Sequence, residues 1–258
     1  MKNDIFRIED GTLIGFNSNT NYYDYESITI PDTVTSIGNG AFNSCKNLEN
    51  VIISSNVTDI GWGAFENCTN LKSINIPYSV TSIGDDAFYR CANLESIIIP
   101  DNVTIIGWGA FAFCTNLKSI TISNNITSIG DYVFVDCTSL KNINIPNNVT
   151  RIGWGAFEGC ESLENINIPY SVTNICKYAF KNCKNLKYII IPDGVINIED
   201  STFNGCKRLE DIVIPNSITS IGEYAFAGCR GLKSIEIPDS VANIEYNAFP
   251  NGTTIIRR

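Results

Sequence analysis

Ten phenylalanines, Phe42, Phe65, Phe88, Phe111, Phe134, Phe157, Phe180, Phe203, Phe226 and Phe249, recur every 23 residues without a slip. Nine cysteines, from Cys45 to Cys229, keep the same interval. A fixed period of roughly 20–29 residues that carries a short apolar strand pattern specifies a solenoid, in which each repeat packs only on its neighbours. At 258 residues the chain is long enough for two ordinary domains. The period overrides that prior and predicts one continuous array.

Each repeat reads Leu-x-x-Ile-x-Ile-Pro-x-x-Val-x-x-Ile-Gly-x-x-Ala-Phe-x-x-Cys-x-x, as in Leu71 to Asn93. Ile74 and Ile76 alternate with polar residues, the period-2 signature of a strand with one buried face. Pro77 ends that strand because it has no N–H to donate to a ladder. The run from Val80 to Ile83 is expected to form a second short extended lane, and Gly84 to turn the chain. Ala87, Phe88 and Cys91 have the i, i+1, i+4 spacing of one helical turn with its apolar side inward. The expected fold is therefore a repeat solenoid of α/β type: ten rungs of about 23 residues, a parallel β-sheet on one face and short helical turns on the other. About eight side chains per rung point inward. Their burial is worth on the order of 15 kcal/mol per rung, realised only when rungs stack.

Residues 1–24 do not repeat. Asp10-Gly11 lies between short apolar runs, a hairpin signal. The segment is expected to be an N-terminal cap, with Asn17 to Asp24 as an exposed link. The array then spans 25–249. Pro250-Asn251-Gly252 departs from the repeat, and 250–258 is expected to be a C-terminal end strand. Either this strand closes the array with Arg257 and Arg258 outward, or the end is open, and an open apolar end favours homo-oligomers formed end to end.

The wording LxxIxIPxxVTxIGxxAFxxC, seen in Leu140 to Cys160, resembles the BspA-like class of leucine-rich repeats, and the resemblance runs from residue 25 to about 249. It implies the leucine-rich repeat fold and a non-enzymatic role in protein binding or cell adhesion. A host matrix or cell-surface protein is the partner that the resemblance implies, and cell surface or secreted the location. The stretch MKNDIFRIEDG lacks the apolar core of a secretory signal. A cytosolic chain, or one whose leader lies outside this sequence, is the expectation from the residues alone.

Composition excludes several functions. Histidine is absent, so the Ser-His-Asp and Cys-His arrangements and the His-containing zinc sites are ruled out. Net charge is −9, which repels a phosphate backbone and argues against nucleic acid. No run of 18 apolar residues is present, so no membrane insertion is expected. There is no cofactor motif and no convergence of acids. An enzyme is not expected, nor a cofactor or bound metal.

Ten cysteines invite a disulfide reading. Nine of them share one lane behind Ala-Phe-x-x, where a thiol acts as a small apolar plug, and free buried thiols are expected. Cys176 stands instead in the turn-glycine lane. It is the one candidate exposed thiol, with Lys177 beside it to favour the thiolate.

The open sheet face is the expected binding surface. Its lane between the two strand isoleucines contains Ile52, Asn75, Ile98, Thr121, Asn144, Asn167, Ile190 and Val213, with Tyr188 alongside. Ile190, Tyr188 and Val213 hint at a contact patch. The flanking lane Glu49, Lys72, Glu95, Lys118, Lys141, Glu164 and Lys187 reads as a ladder of exposed ion pairs, each worth ~0–1 kcal/mol. A 46-residue super-period places Trp62, Trp108 and Trp154 in Gly-Trp-Gly-Ala-Phe, with Tyr132, Tyr178 and Tyr224 in the next lane of other rungs. Two accounts stay open: packing over a neighbouring rung, or a stripe that stacks on sugars or anchors a partner. The leading expectation is a protein-binding or adhesion module. The alternatives are an assembly protein acting through its ends or edges, and carbohydrate binding through the Trp stripe.

Overall fold

In nine of the ten rungs the Ile-x-Ile segment becomes a three-residue strand with one buried side chain between two exposed ones, as in Asn50–Ile52 and Ser73–Asn75. In the computed structural model, which describes residues 5–21 and 24–258, equivalent residues pair in parallel at the repeat interval: Asn50 with Ser73, Val51 with Ile74, Ile52 with Asn75. The prolyl carbonyl after the strand then accepts a turn bond, Val80 N–H to Pro77 at 3.1 Å. The expected second lane is present as two-residue strands, such as Asp59–Ile60 beside Ser82–Ile83. The fold is a repeat solenoid. It divides into two units, one ending at Ile126 and the other beginning at Thr127.

The periodic phenylalanines are the spine of each unit. In the first, the rings of Phe42, Phe65, Phe88 and Phe111 stack at centroid separations of 5.2, 5.3 and 5.3 Å. In the second, Phe134 to Phe249 stack at 5.3–5.6 Å. These spacings are close to the ~4.8 Å between paired strands, so ring and backbone repeat together. Leu, Ile, Val, Ala and Cys of each rung are buried around the rings.

The helical turn expected at Ala-Phe-x-x-Cys is not formed: the described residues contain no α-helix. Two left-handed lanes explain this. One passes through Gly40, Asp86, Tyr132 and Tyr178, the other through Ser44, Arg90, Asp136 and Asn182, all with φ between 52° and 62°. Such residues interrupt a right-handed helix. Successive N–H groups instead alternate between local and cross-rung acceptors. Ala41, Asn43 and Cys45 donate three residues back, to Gly38, Gly40 and Phe42. Gly40, Phe42 and Ser44 donate into the next rung, to Trp62, Ala64 and Glu66, at 2.7–2.8 Å. A helix would consume these donors internally and leave nothing to bind the next rung.

Asp10 and Gly11 both have positive φ, 48° and 77°, and close an antiparallel hairpin of Phe6–Glu9 and Thr12–Phe16. This is the twist a two-residue hairpin loop requires. Thr12 and Leu13 continue in parallel with Ser36 and Ile37, while Phe6 and Phe16 pack edge-on against Phe42. The hairpin thereby covers the first ring of the stack. Residues 1–4, Tyr22 and Tyr23, which belong to the expected cap and link, lie outside the described residues. At the other end Thr254–Arg257 pairs in parallel with Ser234–Ile237 and leaves Ile255 and Ile256 exposed.

Candidate functional site

The pleat sends alternate strand residues outward, and every sheet-face residue singled out from the sequence is exposed. In the first unit, Ile52 and Ile98 are 63% and 67% exposed and flank Asn75. Together with Asn50, Ser73 and Ser96 they line a shallow groove of about 470 Å³. The strand ladder is interrupted there: Ser73–Asn75 pairs back to Asn50–Ile52, whereas Ser96–Ile98 pairs onward to Ser119–Thr121. Thr121 is exposed on that onward strand. In the second unit Tyr188, Ile190 and Val213 sit together on paired strands, with Tyr188 opposite Asp211 and Ile190 opposite Val213. Asn144 and Asn167 pair with each other and form an amide surface without aliphatic side chains.

Ion pairs border this face. Lys72 meets Glu49 at 2.7 Å, Lys118 meets Glu95 at 2.8 Å, and Lys187 meets Glu164 at 3.4 Å. The Lys118 ammonium holds the Glu95 carboxyl below its usual range.

The tryptophans lie on the turn side of the rungs. Trp62 and Trp108 belong to the first unit, Trp154 to the second, and each is 43–51% exposed. What fixes their positions is a partner that the sequence analysis missed. In the same lane, one rung earlier, a side-chain oxygen accepts the tryptophan backbone N–H: Asn39 for Trp62 at 2.9 Å, Asp85 for Trp108 at 2.8 Å, Asp131 for Trp154 at 2.8 Å. Asp200 serves Glu223 in the same way at 3.0 Å. Asn39, Asp85 and Asp131 recur at 46 residues, in alternation with the tryptophans, so the signal was in the sequence.

The turn glycine follows from the close approach of the preceding rung, whose backbone lies within 3 Å of a Cβ placed at Gly61, Gly84, Gly107, Gly153 or Gly222. A Cβ at Gly153 would stand 2.5 Å from the Asp131 carboxylate, although the φ there is ordinary. Gly61, Gly107 and Gly222 likewise precede a residue capped by Asn39, Asp85 or Asp200. Cys176, Glu199 and Glu245 occupy the same lane in the rungs that follow Trp154, Lys177 and Glu223.

Packing accounts for part of the aromatic lane. The Trp154 indole stacks on Tyr178 in the next rung, at 6.1 Å and 5° between planes. Gly155 leaves room for the Tyr132 ring, which a Cβ there would approach to 2.7 Å. In the first unit the slot beside Gly109 holds the Asp86 carboxyl instead. Asp86 Oδ1 is buried without a hydrogen-bond partner. Burial, then the nearby Glu66 and Asp85 charges, push its pKa up to about 6.

All ten cysteines are free and nine are buried. Seven of the buried thiols donate to the phenylalanine carbonyl of the preceding rung, as Cys68 to Phe42 at 3.1 Å and Cys160 to Phe134 at 3.2 Å. Burial raises Cys45 and Cys114 to about 12. Cys176 is the one cysteine that is not buried, as its lane implies, but its thiol is not activated. It is half-buried, and burial raises its thiol despite the Arg151 guanidinium nearby. Lys177 does not favour a thiolate, because its ammonium binds Asp200 at 2.6 Å.

Among the described residues no group of three or more Cys, Asp or Glu is placed to hold a metal ion, and no helix is long and apolar enough to cross a membrane.

A profile of the BspA type leucine rich repeat region, with 6 copies, matches residues 12–141 and 127–256. No curated protein matches the chain significantly. Three solved bacterial structures are similar. The T. pallidum leucine rich repeat protein TpLRR is 27% identical with a TM-score of 0.67, over 72% of this chain and 90% of that one. A leucine-rich repeat protein from Bacteroides ovatus is 26% identical, TM-score 0.61, over 98% and 88%. A leucine rich cell surface protein from Faecalibacterium prausnitzii is 29% identical, TM-score 0.60, over 93% and 82%.

Proposed function

Because the chain belongs to the BspA-type leucine-rich repeat family, we propose that it is a non-enzymatic binding module whose open sheet face engages a protein. One observation carries this reading: Ile52 and Ile98, both more than half exposed, flank Asn75 across a groove of about 470 Å³. Isolated apolar residues on a surface are ordinary, but two aliphatic side chains converging on one groove, bordered by ion pairs, have the layout of an interface with an apolar centre and a polar rim. The groove is open and shallow, which suits a macromolecular surface better than an enclosed metabolite. Likeness to the F. prausnitzii cell surface protein supports a place at the cell surface, and a matrix or cell-surface protein is the partner proposed for the sheet face.

Solid-phase binding to purified extracellular matrix proteins tests the reading. The variant Ile52→Asp/Ile98→Asp changes only outward-facing side chains, so its fold is expected to survive. Loss of binding by tenfold or more supports the sheet face as the contact. Binding at parental strength, or no matrix protein bound by the parent, overturns it.

A further inference from the structure

The turn side of the second unit carries a separate feature. The Trp154 lane does not require an indole, since the next rungs hold Lys177, Asp200 and Glu223 there in the same backbone turn. The fold nevertheless keeps a large ring at that position, 43% exposed, while every phenylalanine from Phe134 to Phe226 is fully buried. Core packing alone gives no reason for that choice.

The ring is also backed on one face. It lies parallel to Tyr178, whose other contact is the Lys181 ammonium, 5.1 Å from the ring centre. Lys181 is fixed in turn by Glu158 at 2.8 Å. Polar groups sit on both sides along the lane. Arg151 binds Asp131 at 2.7 Å one rung before Trp154, and Lys177 binds Asp200 one rung after it. The three pairs, Arg151–Asp131, Lys177–Asp200 and Lys181–Glu158, cancel in charge.

We propose that Trp154, backed on one face by Tyr178 and flanked by the Arg151–Asp131 and Lys177–Asp200 pairs, forms a carbohydrate-binding site for a neutral pyranose. The chemistry of the ligand follows from the surroundings. A pyranose has an apolar C–H face that stacks on an aromatic ring and a rim of hydroxyls that each donate and accept. Guanidinium and carboxylate groups with spare donors and lone pairs match such a rim. A protein anchor would call for apolar neighbours around the indole, and these are charged. The local charge balance selects a neutral sugar over an acidic or a basic one. This site is independent of the sheet-face reading.

Cellohexaose, chitohexaose and mannohexaose are the probes, titrated against the full chain with tryptophan fluorescence and saturation-transfer NMR as readouts. The expected result is saturable binding of at least one of them. Affinity falls at least tenfold in Trp154→Lys and in Tyr178→Ala and is unchanged in Ile52→Asp/Ile98→Asp. Trp154→Lys is chosen because Lys177 occupies the same lane one rung on, so the turn accepts lysine; its thermal midpoint is recorded alongside. Absence of saturable binding by all three probes overturns the proposal. So does full binding by a folded Trp154→Lys variant.

Discussion

The backbone N–H of Trp154 donates to the Asp131 carboxylate one rung earlier, at 2.8 Å, and that oxygen lies where a side chain at residue 153 would have to go. Gly153 is thus required for space and not for its backbone angles. Gly153→Ala is expected to destabilise the chain by about 1–3 kcal/mol through overpacking. Cys176, which follows the Trp154 rung, is expected to exchange for Gly at almost no cost. Urea denaturation of the two variants checks the contrast; equal effects at both positions would refute it.

Phe157 lies between Phe134 and Phe180, each 5.5 Å away. Phe157→Ala leaves a void with ring faces on both sides, which the rigid rung spacing cannot close. The expected loss is about 3–5 kcal/mol. A loss below about 1.5 kcal/mol in chemical denaturation would mean that the stack is not the spine described above.

Asp86 gives the protein a particular dependence on pH. Its carboxyl ionises at about 6 in the folded chain against the ordinary 3.8, because burial and the negative Glu66 and Asp85 oppose the charged form. For an acid shifted upward, the unfolded chain releases its proton first. The contribution of Asp86 to stability is therefore complete below about pH 4, falls as pH rises towards 6, and stays lost above that. Asp86→Asn is expected to raise the thermal midpoint at pH 7.5, leave it unchanged at pH 4, and flatten the profile between. Melts across this range decide the matter; an unchanged slope in the variant would exclude Asp86 as its source.

The thiol lane predicts a sharp contrast in reactivity. Nine cysteines are buried as neutral thiols, and Cys176 is half-buried with its pKa raised. Native protein is expected to react with Ellman's reagent at no more than one site, slowly, and denatured unreduced protein at ten. Fewer than ten after denaturation would reveal disulfides that the structure lacks.

The rungs were legible in the sequence because the core is written in residue types that scarcely vary: Phe42 and its nine counterparts, the Ile-x-Ile strands, the Cys lane. Asp10-Gly11 gave the hairpin for the same reason, since few residues tolerate its backbone angles. The turn at Ala-Phe-x-x-Cys has helical spacing but no α-helix among the described residues. Its left-handed lanes contain Arg90, Phe113 and Tyr178 beside glycines and asparagines, so local preference does not mark them. Hydrogen bonds from the adjacent rung hold these angles, and a single repeat read alone does not contain them. The outward positions of Ile52, Asn75 and Ile98 followed directly from strand alternation. Their common groove did not, because it depends on where one strand ladder ends and the next begins.

The alternation of Asn39, Trp62, Asp85, Trp108, Asp131 and Trp154 has a bearing on how such a gene grows or shrinks. Duplicating or deleting a segment for a single rung in this region would set indole above indole, or carboxylate above carboxylate, and strand an amide without its acceptor. A segment encoding two rungs restores every pairing at the seam. A change of 46 residues is therefore the smallest one expected to leave the lane's hydrogen bonds intact.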